Sequence, residues 1–373
     1  MQPLRRRPHD CRGVAMTLAA LIERSRVQKE SWRYTPLEKL LATPISAPDT
    51  AVQPLVGEAG HPVIAFRNGR YYAATSRLEK LPVGMFQVEG DNACRITVGG
   101  RHCLVTTPVE LHFAYDNTAQ AEPVQLYIEL GESSSLTLIE HHAGSATAPH
   151  VVEMNVTLSA QAKLRHSKLM HQQAVAVHLT RTQVSVASGA HYHHFALLKD
   201  ARLTRHEVDV RLQGLNAQCS LSGVMLLAGH EHGDATWRVT HEAPQGTSNQ
   251  LFKTILTESA RGVFQGKVIV APDAQKTDSQ QLSRALLLSD QAEMNAKPEL
   301  QIDADDVSCS HGSTVGDLDD NALFYLRSRG LSDAAARRLL LRAFADEVVE
   351  NLHAGEGHEV AAALLEEWFH ENV

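Results

Sequence analysis

Apolar and polar positions change their rhythm twice along the chain. From about Ala15 to Leu41 the apolar residues recur at helical spacing, with Leu18, Leu21 and Ile22 on one face and Leu37, Leu40 and Leu41 on a second short segment. Thr43 to Pro62 carries Pro44, Pro48, Pro54, Gly57, Gly60 and Pro62 and reads as a linker. From about Val63 to His311 the period drops to two. Alternation is plain in Val151–Leu158, Thr182–Val186 and Val208–Leu212, and turn signals bound the runs at Ser188-Gly189, Gly214, Gly229, Gly233, Pro244-Gln245-Gly246, Gly262 and Gly266. Many short strands in succession fit a sandwich, a barrel or a solenoid, and the pattern alone does not choose among them.

Helical spacing returns after the last strand. Ser332-Asp333 is placed to start a helix, Leu340, Phe344, Val348 and Leu352 form an i, i+4 row, and Gly355 and Gly357 end it. A second helix is predicted from about Glu359 to Phe369, with Leu364, Leu365, Trp368 and Phe369 apolar. Two such helices can cap the end of a solenoid or offer an apolar face to another protein. The organisation predicted is a helical region and linker over 1–62, a β core over 63–316 and a helical domain over 317–373.

Composition adjusts this picture in three places. Aromatic residues are only 5% of the chain, so the core must be aliphatic, which suits stacked short strands. The net charge of −8 argues against a broad nucleic-acid footprint. That charge is uneven: Met1 to Arg33 holds eight Lys/Arg against three Asp/Glu (+5), and Glu299 to Val373 holds five Arg against sixteen Asp/Glu (−11). The acidic end suits a basic partner or a solvated helical surface. The five cysteines, Cys11, Cys94, Cys103, Cys219 and Cys309, are scattered without a CxxC, as expected of reduced thiols in a cytoplasmic protein. Arg5, Arg6 and Arg7 before Val14–Ile22 mimic a short signal peptide, but Thr17 and the charged Glu23-Arg24-Ser25-Arg26 favour an amphipathic helix, and Met16 is an alternative start.

Candidate chemistry is sparse. Cys309 and His311 are two residues apart, so in a strand they project from one face as a half-site for a thiophilic metal. Two ligands leave a tetrahedral site half built; a metal role therefore needs ligands from elsewhere in the chain or from a partner. His191, His193 and His194 lie in SGAHYHHF, where His191 and His193 share a face as cupin metal ligands do. The next carboxylates, Asp200 and Glu207, are poorly spaced for a cupin, so a polar rung surface competes with a cupin-like, His-cluster metal-binding enzyme. His230, His232, Asp234 and His241 form no HExxH on a helix. Gly262-Val-Phe-Gln-Gly266-Lys267-Val268 is one residue short of a phosphate loop, lacks its Ser/Thr, and reads as a strand, so no nucleotide site is expected in this chain. No GxSxG elbow is present, and neighbouring carboxylates such as Asp305-Asp306 and Asp319-Asp320 read as turn residues and helix-start charges.

ARGVFQGKVIV (260–270), AQKTDSQQ (274–281), KPELQIDADDVSCSHGSTVG (297–316) and LFYLRSRGL (323–331) together resemble the SufB/SufD family of iron–sulfur cluster assembly proteins, and KPELQI, CSHG and ALFYLRSRG resemble its SufD branch. The resemblance runs from about Leu212 to Leu352 and fades towards the N-terminus. It implies a mainly β protein, a right-handed parallel β-helix flanked by helical regions at both ends. It further implies a non-catalytic scaffold pairing with SufB-like and SufC-like subunits, or with itself when SufB is absent, the SufC-like ATPase supplying the nucleotide site. A transient Fe–S cluster or iron would be shared with the SufB-like subunit through His311, with Cys309 as accessory ligand. The SufC-docking region would include Phe324, Tyr325, Leu326, Leu340, Phe344, Val348 and Leu352.

Overall fold

The computed structural model describes residues 17–42, 55–100, 102–116, 121–144, 148–171, 173–352 and 355–373, the side chains of 173–176 excepted. Arg5–Arg7, Cys11, Met16 and most of the proline-rich linker lie outside the described residues. Among the described residues the strands form two sheets, one of ten strands and one of nine, and from Ala93–Val98 onward successive strands alternate between them, each pairing in parallel with the strand two places on. The result is a parallel β-helix with two flat walls. The pleat turns every second side chain inward. Ile96, Leu126, Met154, Val184, Val210, Val239 and their counterparts opposite fill the space between the walls. The core is aliphatic for most of its length, with Trp237 set edge-on to Phe252 and Phe264 at 5.0 and 5.6 Å between ring centres.

One corner matches the turn signals at Gly189, Gly214 and Gln245, whereas Gly233, Gly262 and Gly266 lie inside strands. Ser133, Gln161, Gly189, Asn216, Gln245 and Lys276 all have φ between 55° and 63°, the left-handed region where glycine and asparagine cost least. Each donates its N–H to a carbonyl of the following turn: Gln161 to Ser188, Gly189 to Leu215, Asn216 to Pro244, Gln245 to Gln275, Lys276 to Asp306. The bends thus form a ladder of their own beside the sheets.

The two ends of the helix differ. At the start, Asn68 (φ 51°) and Gly69 (φ 81°) turn the strand Val63–Arg67 back on Arg70–Tyr71 as an antiparallel hairpin, and Phe86–Val88 pairs antiparallel with Ala93–Val98. An Asn-Gly pair is the strongest short hairpin signal, because both positions tolerate positive φ. At the far end, Glu293–Ile302 and Ser308–Gly316 each pair on one side only among the described residues. Glu293–Ile302 is mostly half-buried and Ser308–Gly316 mostly exposed, and each presents a row of free main-chain groups.

Helices cover the outer faces of both walls. Helices α1 (Leu18–Val27) and α2 (Leu37–Leu41) set Leu21, Trp32 and Leu37 against Val151, Val177, Leu179 and Leu203 of the nine-stranded sheet. Arg205, buried, fastens this segment: it pairs with Asp234 and with Glu207 (2.8 Å), donates to the Ser31 carbonyl (2.9 Å), and lies 3.8 Å from the Trp32 ring centre. The C-terminal helices α3 (Asp320–Ser328), α4 (Asp333–Val349) and α5 (His358–Asn372) lie on the ten-stranded sheet. They do not cap the solenoid's end. Leu341, Ala345, Val348, Leu352, Leu365, Trp368 and Phe369 bury against Ile139, Leu169, Phe195, Leu197, Val224, Leu226 and Ile255. Ser332 caps α4 as its sequence predicts, accepting from the Ala335 N–H, and Asp319 caps α3. Two lysines reach from the sheet to the helices: Lys199 to Glu367 (2.8 Å), and Lys253 to the Phe344 carbonyl (2.6 Å) and Glu347. Among the described residues no helix is long and apolar enough to cross a membrane.

Candidate functional site

Cys309 and His311 stand on the last strand of the ten-stranded sheet, in register with Ser279 and Gln281. Ser279 and Gln281 are buried and face the solenoid interior, so Cys309 and His311 continue that inner face at the uncovered end. Cys309 is half-buried against Val268, Val270, Ala274 and Ala304; His311, with no following turn over it, is exposed. Burial, with Asp278 nearby, pushes the Cys309 thiol above its usual range, so it stays protonated until a metal or another cation replaces the proton. Both side chains therefore share one face at an open rim, as their spacing requires, and the rim offers main-chain pairing beside them.

The histidine run divides between the two faces of its strand. His191 and His193 point outward into a groove of about 620 Å³ between the ten-stranded sheet and α4, lined also by Lys163, Arg165, Glu347 and Glu350. His193 lies 3.9 Å from Glu356 of the segment before α5. Parallel strands in a two-walled helix rule out the cupin barrel, and among the described residues the close-set ligand groups include neither His191 nor His193. His232 and Asp234, also candidates by sequence, receive the N-terminal segment instead: the Thr35 hydroxyl donates to Asp234 and lies 3.1 Å from the His232 ring. Gly262–Val268 is strand throughout, with Val263, Phe264 and Val268 buried, so the near-match to a phosphate loop forms no loop.

The residues that patterning missed are inside. Glu140, His142, His166, Lys168, His178, His194 and His206 are buried between the walls. The His166 ring donates to Glu140 (2.5 Å) and accepts from the Tyr192 hydroxyl (2.9 Å). His194 donates Nδ1–H to the His166 carbonyl (3.1 Å), so its Nε2 accepts from His206 (2.9 Å), whose Nδ1 accepts from Thr180 (2.9 Å). Every proton in that chain is accounted for with neutral rings. Burial holds His142 and His150 down at about 3 and His178, His194 and His206 well below the ordinary value, with the Lys168 ammonium adding to the effect on all but His150. Burial alone would raise the Glu140 carboxyl, but Lys168, His166 and His142 outweigh it and hold it well below the carboxylate range. The one sequence signal for this network is that His142, His166 and His194 fall in phase with inward apolar residues of their strands, such as Leu138, Leu164 and Tyr192.

These histidines set the acid limit of the fold. A histidine whose folded pKa is depressed contributes stability that is complete above the unfolded value of about 6.5 and is lost as pH falls towards the folded value. Each contributes a slope of roughly 1.4 kcal/mol per pH unit over that window. Glu231, pushed up to about 8 by burial, has the opposite sign and offsets one of them. The melting temperature is expected to rise slightly from pH 8 to 7, as Glu231 takes up its proton, and to fall steeply from 6.5 towards 4. His150 is stacked on Tyr115 at 3.5 Å, so His150→Phe keeps the stack and should shallow the slope by one histidine's share. A melting curve indifferent to pH between 7 and 5 would contradict the neutral assignment.

The chain is thus a parallel β-helix protein with a Cys/His pair at one bare rim and helices on both outer faces. Residues 113–344 match the family model described as SUF system FeS cluster assembly, SufBD core domain. The chain belongs to the SufBD family. It is 33% identical over 258 residues to an iron–sulfur cluster assembly SufBD family protein of Synechocystis, covering 66% of this chain and 57% of that relative. It is 34% identical over 228 residues to the iron–sulfur cluster assembly protein SufD of Escherichia coli, covering 61% and 54%. A SufBD family protein of Mycobacterium leprae is 26% identical over 358 residues, covering 90% and 88%. The chain thus spans little more than half the length of the first two relatives.

Proposed function

We propose that this chain is a non-catalytic scaffold subunit of an iron–sulfur cluster assembly complex, pairing with a SufB-like subunit and a SufC-like ATPase. The observation that carries the reading is the uncovered rim, where His311 and Cys309 share one face beside two strands with free main-chain edges. A partner strand added there completes the sheets and brings its own ligands to the half-site. The cluster or iron is substrate, held in passing by His311 and by Cys309 once its proton is displaced. ATP binding belongs to the SufC-like subunit, which docks on residues 317–373.

The seven docking candidates divide by exposure. Phe324 and Tyr325 are 75% and 55% exposed, and Leu339 beside them 49%. Leu326, Leu340 and Phe344 are half-buried against the helix–sheet core, and Val348 and Leu352 lie within it. We therefore place the docking contact on Phe324, Tyr325 and Leu339, the others supporting it from beneath. Aromatic anchors of this kind commonly carry about 2 kcal/mol or more of an interface.

The test is co-purification of the tagged full chain with co-expressed SufB-like and SufC-like subunits. Phe324→Asp with Tyr325→Asp should release the SufC-like subunit and leave the SufB-like one bound. His311→Ala should keep both partners and lose cluster reconstitution. Retention of the ATPase by the double variant would refute the docking contact; reconstitution at the parental rate by His311→Ala would refute the ligand assignment. An intact chain that captures neither partner would refute the scaffold reading.

A further inference from the structure

A second group of metal-binding residues lies on the outer face of the ten-stranded sheet, far along the chain from the rim and on the opposite side of the strand pleat from the buried network. Glu110 and His112 alternate with Val109, Leu111 and Phe113, whose side chains fill the solenoid; the register sets His112 directly beside His141. Glu110 Oε2 lies 2.7 Å from His112 Nε2 and 3.9 Å from His141 Nε2, and the three ligand atoms all lie within 4.8 Å of one another. All three residues are buried.

We propose that Glu110, His112 and His141 bind one divalent first-row transition ion of the zinc or ferrous type. Ligand atoms about 2.0–2.1 Å from a tetrahedral ion sit roughly 3.3 Å apart, between the two distances found here. Two imidazoles and one carboxylate are the ligand set of zinc and non-haem iron sites that keep a position open. The His141–Glu110 pair makes the case specific. At 3.9 Å His141 Nε2 is beyond hydrogen-bond reach of Glu110 Oε2, which His112 engages at 2.7 Å, and an ion seated among the three would take up His141 as well.

The surroundings orient the ligands as outer partners of a metal site do. His141 Nδ1 lies 3.0 Å from His171 Nε2, which leaves Nε2 of His141 turned to the carboxylate. The other oxygen of Glu110 accepts from the Glu58 N–H (2.9 Å) and lies 2.8 Å from His61 Nδ1. The site needs no partner subunit and stands apart from the cluster-assembly reading.

The experiment is anaerobic titration of the chelator-stripped full chain with Co²⁺, read by its visible absorption, followed by displacement with Zn²⁺ and with Fe²⁺. One equivalent of Co²⁺ should bind with nitrogen/oxygen-type bands and no thiolate charge-transfer band. His112→Ala and Glu110→Gln should abolish the bands, while Cys309→Ser and His311→Ala leave them unchanged. His171→Ala removes only an outer partner and should weaken binding roughly 10–100-fold, with native circular dichroism as the check on folding. Displacement by Zn²⁺ at lower concentration than Fe²⁺ assigns the zinc type, and the reverse the ferrous type. A full chain that takes up no stoichiometric Co²⁺, or bands that survive His112→Ala or depend on Cys309, would overturn the site.

Discussion

Glu140→Ala is expected to lower the unfolding free energy by about 3–5 kcal/mol, the range for removing one partner of a buried ion pair. Glu140 lies between the walls of the solenoid, where its two oxygens meet His166 (2.5 Å), His142 (2.7 Å) and Lys168 (3.4 Å). Water does not reach this space: Lys168 and His166 are almost completely buried. Removing the carboxylate strands the Lys168 ammonium in a low-dielectric interior, and that penalty, rather than the lost attraction, sets the size of the effect. Lys168→Met in the same chain removes the stranded charge, so the double substitution Glu140→Ala/Lys168→Met should recover most of the loss. Urea unfolding of the four proteins at pH 7.5 measures the cycle. A single substitution costing under about 1 kcal/mol would mean the pair is hydrated.

Arg205→Ala should cost a similar amount, but on the outside of the opposite wall and with a different signature. The guanidinium joins Asp234, Glu207, the Ser31 carbonyl and the Trp32 ring, so its loss leaves two buried carboxylates without the cation they share. Glu207 keeps Arg24 at 2.6 Å; Asp234 keeps the hydroxyls of Thr35 and Thr236. The segment over 17–42 is held to the β-helix largely by this cluster and the small apolar patch around Leu21, Trp32 and Leu37. Limited proteolysis should therefore cut the Arg205→Ala protein within 17–42 well before the solenoid opens, with global urea unfolding shifted by about 3–5 kcal/mol at most. Simultaneous loss of both parts would show that the segment is integral to the core.

What the chain's pattern made legible follows its periods. A two-residue period is a statement about which side chains go inward, so the strands from Val63–Arg67 to Ser308–Gly316 were readable, as was the Ser332 cap on α4. The same logic paired Cys309 with His311 on one face. Choosing a solenoid over a sandwich rested on family likeness, because strand pairing two places on in the chain leaves no mark on the period of any one strand.

Local sequence by itself thus determined the elements and the facing of each side chain along its own strand. Tertiary structure decided what each face meets. Register alone set Glu110, His112 and His141 together, and enclosed Glu140 with Lys168 and the inward histidines, since residues 26–31 apart become neighbours only once the turns stack. It likewise laid the C-terminal helices along the sheet, burying Val348 and Leu352 and leaving Phe324 and Tyr325 outside, because an apolar helix face buries against whatever apolar surface the fold brings beside it.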